Sequence, residues 1–243
     1  MKDYLFCEDF LKREYKELLG SCNLVVTSPP YNVNLKYNTY EDNKEYSDYL
    51  NWMRKIFEKC YKYLKEDGRI CINIGDAKNG KIPTHSDFIQ ILKELNFLPI
   101  TTIIWKKNNI KSLTAWGSYM SPSCPSFPRD YEYLIVMGKT QKLIHKGKTS
   151  LTKEKFIECA NGTWLIAPEH VSKLGHPAAF PVELPKRCIE MFTYEEDLIL
   201  DPFMGSGTTA IAAMRTNRHF IGFEIDEKYF NLSQERIKKE ILK

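Results

Sequence analysis

Ser28-Pro29-Pro30-Tyr31, directly behind the apolar run Leu24-Val25-Val26, puts a hydroxyl, two stiff prolines and an aromatic ring within four residues. Proline lacks an N–H and fixes φ, so the carbonyls of Ser28 and Pro29 are held rigidly outward as acceptors. Tyr31 supplies a flat face for stacking. Rigid acceptors beside a ring suit a planar base held by its exocyclic amine. Such an amine is a weak nucleophile, because its lone pair is delocalised into the ring. Accepting hydrogen bonds from both N–H groups favours a more pyramidal nitrogen and aims the lone pair at an electrophile. In-line methyl transfer then needs mainly positioning and electrostatics. Reaching the amine inside a duplex requires base flipping at a cost of roughly a few kcal/mol, which stacking on Tyr31 partly offsets.

A second stretch, LILDPFMGSGTTAIAA (198–213), puts a glycine-rich turn between a strand and a helix. Gly205, Gly207 and Ala210 form a G-x-G-x-x-A pattern, which lets backbone approach a ligand at a helix N-terminus. Glu224 ends the following strand, HFIGFEID, where a carboxylate can accept from two ribose hydroxyls. A phosphate-binding P-loop would need lysine after the second glycine, and Thr208 stands there. A nicotinamide dinucleotide site remains a rival, but only 36 residues follow Gly207, too few for the further βαβ units that site needs. S-Adenosyl-L-methionine requires less: the loop, the ribose acid and apolar walls. Its cationic sulfonium also tolerates an acid at the loop such as Asp201.

Around these stretches, short β-type runs alternate with helix-type segments, which predicts an α/β domain with a mainly parallel sheet. Strands are expected at 4–7, 23–27, 69–74, 100–105, 133–137, 198–200 and 220–223. Helices are expected at 9–19, 46–64, 88–95, 184–192, 208–216 and from 228 onward. Lys65-Glu66-Asp67-Gly68 reads as a helix stop, with Gly68 supplying a positive-φ turn. The lysine-rich region 138–175 breaks the rhythm and reads as a small insert between two blocks, 1–137 and 176–243. Lysines 139–155 outnumber the acids six to one there, a surface suited to phosphate contact.

Apolar content of 43% supports a full core, and the net charge of +4 permits a polyanionic partner without demanding one. No apolar run approaches the roughly 20 residues of a membrane helix, and the N-terminal residues lack a signal peptide's apolar core. Seven scattered cysteines without a C-x-x-C pair predict a reducing, cytoplasmic setting and neither disulfides nor a metal site.

Together the motifs resemble the β group of amino-methylating DNA methyltransferases, of restriction-modification type, in which the catalytic motif precedes the cofactor motif. Ser28-Pro29-Pro30-Tyr31 is similar to that family's [D/N/S]-P-P-[Y/F] loop, and Phe203-Met204-Gly205-Ser206-Gly207 to its F-x-G-x-G loop. Residues 64–76, 103–109, 130–139 and 176–192 look like further family segments, so the resemblance covers nearly the whole chain. It implies a single Rossmann-like domain, closed in space by its C-terminal cofactor half lying beside its N-terminal catalytic half.

By the same resemblance Ser28, Pro29, Pro30 and Tyr31 are catalytic. S-Adenosyl-L-methionine would be held by Asp9, Phe180, Pro181, Asp201, Phe203, Gly205, Ser206, Gly207, Thr208 and Glu224, with Glu8 replacing Asp9 if the register is off by one. Region 138–175 falls at the family's target-recognition region, with Lys142, Lys146 and Lys148 as candidate contacts to double-stranded DNA. Recognition would also borrow 114–130 and the loop at 33–45. The resemblance leaves room for a homodimer and for a cognate restriction endonuclease acting separately. Serine in the first motif position, behind Thr27, looks like the cytosine-N4 signature; adenine-N6 enzymes more often carry Asp or Asn. Cytosine-C5 chemistry would need a Pro-Cys nucleophile, and the chain has Cys124-Pro125 in the reverse order. A non-catalytic nucleic-acid-binding module of the same fold would show damage at Ser28, Tyr31, Gly205, Gly207 or Glu224, and all are intact.

Overall fold

The computed structural model describes residues 3–35, 38–108, 117–118, 120–125, 127, 129–169 and 180–242. Among the described residues eight strands form one sheet: β1 (Tyr4–Cys7), β2 (Cys22–Thr27), β3 (Leu64–Ile74), β4 (Leu98–Lys107), β5 (Tyr131–Gly138), β6 (Thr163–Ile166), β7 (Leu198–Asp201) and β8 (His219–Glu224). Their order is β1-β8-β7-β2-β3-β5-β4-β6, with β5 antiparallel to both neighbours and every other pairing parallel. The first and last strands of the chain pair directly, Phe6 opposite Phe223, as the resemblance implied.

Strands buried on both faces read as apolar runs, and β2 and β7 are buried throughout. One face is covered by α1 (Tyr46–Tyr63) and α2 (Thr84–Glu94), which bring Met53, Ile56, Phe57, Phe88 and Leu92 to the core. The other is covered by α3 (Lys153–Cys159), α4 (Glu183–Phe192) and α5 (Thr208–Arg215), with Leu184, Cys188, Ile189 and Ala213 inward. Helix α6 (Glu227–Ile241) packs on α5 and β1. All seven cysteines are free, no candidate metal cluster occurs among the described residues, and no described helix is long and apolar enough to cross a membrane.

Two local expectations are overturned. Residues 9–19 form turns with a 3-10 helix at Lys16–Leu18, not a helix throughout. The Asp9 carboxylate accepts from the Leu11 N–H, and the ammonium of Lys59, on α1, takes the carbonyls of Phe10 and Arg13 that a helix would use. A short polar side chain and a captured carbonyl both compete with helical bonding. Gly68 does not have positive φ: β3 begins at Leu64 and runs through it. A Cβ at Gly68 would lie 2.9 Å from the Leu64 side chain, so close packing, not a turn, requires glycine there.

The described part of region 138–175, residues 138–169, contributes to the sheet. It supplies α3 and β6, and β6 pairs with β4 at the edge, Trp105 opposite Trp164. Both tryptophans are buried, and Trp105 Nε1 donates to the Ile166 carbonyl at 3.0 Å. Weak periodicity concealed these two short elements.

Candidate functional site

In a parallel sheet, ligands sit beyond the carboxyl ends of the strands. Here a cavity of about 370 Å³ opens at that edge, where β1, β8, β7 and β2 end side by side. Asp9, Phe203, Gly205 and Glu224 line one part of it; Ser28, Pro29, Pro30 and Tyr31 line another. The two motifs, about 175 residues apart, therefore share one wall-to-wall space. Glu8 and Asp9 both face it, so either register keeps an acid there. Acids dominate the lining (Glu8, Asp9, Asp48, Glu224 and Asp226 against Lys44), among the apolar surfaces of Phe10, Trp52, Phe203 and Tyr229. That composition fits a cationic ligand with a flat apolar part.

Glycine is required at two turn positions. Gly205 has φ +52° and Gly207 φ +81°, where L side chains are strained. The turn lets the Gly205 N–H donate to Glu224 Oε2 at 2.7 Å, while the Asp226 N–H donates to Oε1 at 2.8 Å. Each oxygen keeps capacity for another donor. Burial pushes the Glu224 carboxyl up to about 7, against the pull of those two N–H groups.

Several expected cofactor contacts face elsewhere. Asp201 is buried and turned inward, accepting from Thr27 Oγ1 at 2.7 Å, Thr209 Oγ1 at 2.6 Å and the Phe203 N–H at 3.0 Å. It ties the strand before Ser28 to the helix after the glycine turn, and burial pushes it up to about 6 against those bonds. Ser206 and Thr208 turn toward α6, where Arg236 donates to the Ser206 carbonyl at 2.6 Å and its hydroxyl at 2.8 Å. Gly207 packs on Ser233, 2.9 Å from where a Cβ would lie. Phe180 packs against the core cluster around Leu184, and Pro181 is buried; neither lines the cavity. Residues 176–179 lie outside the described residues.

On the other side, Tyr49 donates to the Pro30 carbonyl at 2.7 Å, pinning the Pro-Pro turn from α1. Past Tyr31, buried Asp42 accepts from the backbone N–H groups of Asn32, Val33 and Leu35 at 2.8 to 3.0 Å. Asn32 and Asn34, at φ +57° and +65°, take the left-handed conformation that asparagine tolerates. The Tyr31 hydroxyl points toward β3 and β5. It donates to Glu132 Oε2 at 2.7 Å, accepts from Asn73 Nδ2 at 2.7 Å and lies 3.2 Å from Ser28 Oγ. Lys107 pairs with Glu132 from β4. Asn73, Lys107, Glu132, Asp42, Tyr49 and Arg236 were all missed by motif reading. One signal was available: asparagine in the otherwise apolar, buried stretch Ile70-Cys71-Ile72-Asn73-Ile74.

Lys142, Lys146 and Lys148 are not brought to the cavity. The segment following β5 starts at the opposite edge, where the Lys139 N–H donates to the Gly68 carbonyl, and Lys148 pairs with Glu195 at 3.0 Å. Instead this segment is clipped on by His145, whose ring bridges Asp67 at 2.7 Å and Asp197 at 3.1 Å. Partial burial opposes charge on His145, but both carboxylates outweigh it and raise the imidazole. Burial likewise opposes ionised Asp67, and the His145 and Ile144 bonds hold it down at about 2. The clip's stabilisation is fully present between about 4 and 6.5, the ordinary Asp and His values. It is lost as pH falls toward 2 or rises past the elevated histidine value. Thermal melts should therefore show His145→Gln destabilised most at pH 5 to 6, with the gap to the unmodified chain closing at alkaline pH.

The fold and this paired site define a class: an enzyme that uses S-adenosyl-L-methionine to methylate an exocyclic amine of DNA. The DNA methylase family model matches residues 22–235, and the chain belongs to that family of N4-cytosine and N6-adenine methyltransferases. It is 40% identical over 173 residues to the type II methyltransferase M.MjaVI of Methanocaldococcus jannaschii, covering 70% of this chain and 88% of that protein. It is 33% identical to M.MjaI of the same organism, covering 89% and 85%. Among solved structures, TTHA0409 of Thermus thermophilus complexed with S-adenosyl-L-methionine superposes with TM-score 0.77 at 27% identity, over 99% of this chain and 95% of that one. The cytosine-N4-specific PvuII DNA methyltransferase shares the fold, at TM-score 0.70 and 24% identity over 97% and 90%.

Proposed function

We propose that this chain is a site-specific methyltransferase of double-stranded DNA whose target is N4 of a flipped-out cytosine. The observation that carries the reading is that Ser28 and Gly205 line the same cavity, on loops following the neighbouring strands β2 and β7. When bound, S-adenosyl-L-methionine supplies an electrophilic methyl group on a cationic sulfur. Glu224 would hold the ribose hydroxyls, Asp9 would face the adenine and the Gly205 turn would let backbone close on the ligand. Ser28 Oγ and the Ser28 and Pro29 carbonyls accept from the base amine, and Tyr31 stacks on the base. A neutral hydroxyl at position 28 favours cytosine. The chain leaves the sheet after Lys107 and re-enters at Tyr131 on the cavity edge, and β6 also ends there. The sheet edge formed by Lys107, Tyr131 and Ile166 is therefore better placed to face the target than Lys142, Lys146 and Lys148. A cognate restriction endonuclease acting separately belongs to the same reading.

The test is mass analysis of nucleosides from duplex DNA, RNA and small amines incubated with the chain and labelled cofactor. N4-methylcytosine in DNA is expected. N6-methyladenine alone would overturn the choice of base, and label only in RNA or small amines would overturn the substrate.

Glu224 gives the cofactor site a pH dependence of defined sign. Ribose hydroxyls donate to an ionised carboxylate, so a group free at about 7 must lose its proton on binding. Affinity should rise by about 10-fold from pH 6 to pH 8 and then level. Calorimetry in buffers of different ionisation enthalpy should show proton release near pH 6 and none in Glu224→Gln, whose affinity should be weaker and flat with pH.

A further inference from the structure

We propose that Glu132, braced by Lys107, is a positioning residue that fixes the direction of hydrogen bonding through Tyr31 to Ser28 and so keeps Ser28 Oγ an acceptor toward the base amine. The inference rests on the reading of Ser28 and Tyr31 as base-holding residues. A phenol has one hydrogen to give. The Tyr31 hydroxyl has a carboxylate oxygen of Glu132 at 2.7 Å and the Ser28 hydroxyl at 3.2 Å. The charge-assisted bond is the stronger, so the Tyr31 hydrogen goes to Glu132. Asn73 Nδ2 reinforces this polarity by donating to both Glu132 Oε2 and Tyr31 Oη at 2.7 Å. Its amide cannot turn round without facing its oxygen to the carboxylate. The Ser28–Tyr31 pair is then left with one arrangement, in which Ser28 donates and Tyr31 accepts. Ser28 has spent its hydrogen inward and, beside a long contact from Asn73 Nδ2 at 3.4 Å, keeps lone-pair capacity for a further N–H donor.

Lys107 pairs with the other carboxylate oxygen of Glu132, which offsets the cost of a largely buried charge. The ring itself is seated separately. It packs on Gly75, where a Cβ would lie 3.2 Å from the Tyr31 ring. Bond direction and ring placement can therefore be altered independently. Glu132→Gln preserves shape but can present an NH2 to Tyr31 Oη. That frees the Tyr31 hydrogen for Ser28, and Ser28 then points its own hydrogen at the base.

The experiment is a double-mutant cycle of Glu132→Gln and Tyr31→Phe. It is read as single-turnover methyl transfer to duplex DNA at saturating cofactor, with calorimetric cofactor affinity and thermal midpoint alongside. Each single change should slow transfer by about 10- to 100-fold with cofactor affinity unchanged, and the double variant should be no slower than the slower single. Penalties that multiply in the double variant, or a Glu132→Gln chain at full rate, would overturn the proposal. Loss of cofactor affinity in Glu132→Gln would overturn it too, by showing that Glu132 supports the fold. An unmodified chain that transfers nothing to DNA removes the proposed function and this proposal with it, whereas an active chain indifferent to Glu132→Gln removes this proposal alone.

Discussion

Tyr31→Ala should abolish most turnover while leaving cofactor affinity intact. The ring lines the cavity on the side of the serine loop, and its hydroxyl joins Ser28 to Asn73 and Glu132. Truncation removes the stacking face, worth about 1–3 kcal/mol per base, so the extruded base is held less often. It also removes the partner that takes the Ser28 hydrogen, so the base is held less well when it arrives. Misplaced reacting groups alone cost about 100-fold, and the two losses together should exceed that. Single-turnover transfer and calorimetric cofactor titration separate them. A full-rate Tyr31→Ala chain would remove the base-holding role assigned to the loop.

Gly205→Val should do the reverse and eliminate cofactor binding. At φ +52° a β-branched side chain is strained by about 1–3 kcal/mol, and Gly205 itself lines the cavity that the ligand would fill. Relief of that strain would pull the Gly205 N–H away from Glu224 and release the carboxylate meant for ribose. Affinity should fall at least about 100-fold, which is roughly 2.7 kcal/mol. A thermal melt run alongside should still show cooperative unfolding. A Gly205→Val chain that binds cofactor normally, beside a Tyr31→Ala chain that does the same, would undo the division of labour between the two loops.

Much of this was legible before any coordinates, because motif residues carry their own physical reasons. Gly205 and Gly207 sit at positive φ as a close backbone approach requires, and Glu224 ends its strand facing the same cavity. Strand pairing across the chain ends followed from the resemblance. What was hidden depends on tertiary neighbours. Asp201 looked like a ligand contact, yet its partners are Thr27 and Thr209, which no local pattern joins. The turn at 9–19 is decided by Lys59, some 45 residues away. Lysine density at 139–155 suggested a phosphate surface, but composition does not say at which edge of a sheet a loop lies. The hairpin direction of β5 decides that, sending those lysines to the far edge and bringing Glu132 to Tyr31. Side chains that act through a neighbour leave no spacing rule in the chain, so Glu132 and Arg236 had to be seen.

A crystal structure of the chain with S-adenosyl-L-methionine will show whether one cavity presents the methyl donor to a base held by the serine loop. The ribose should rest on Glu224 and the sulfonium methyl should point across the cavity toward Ser28 and Tyr31. A cofactor bound with its ribose away from Glu224, or with its methyl turned from the serine loop, would contradict the account.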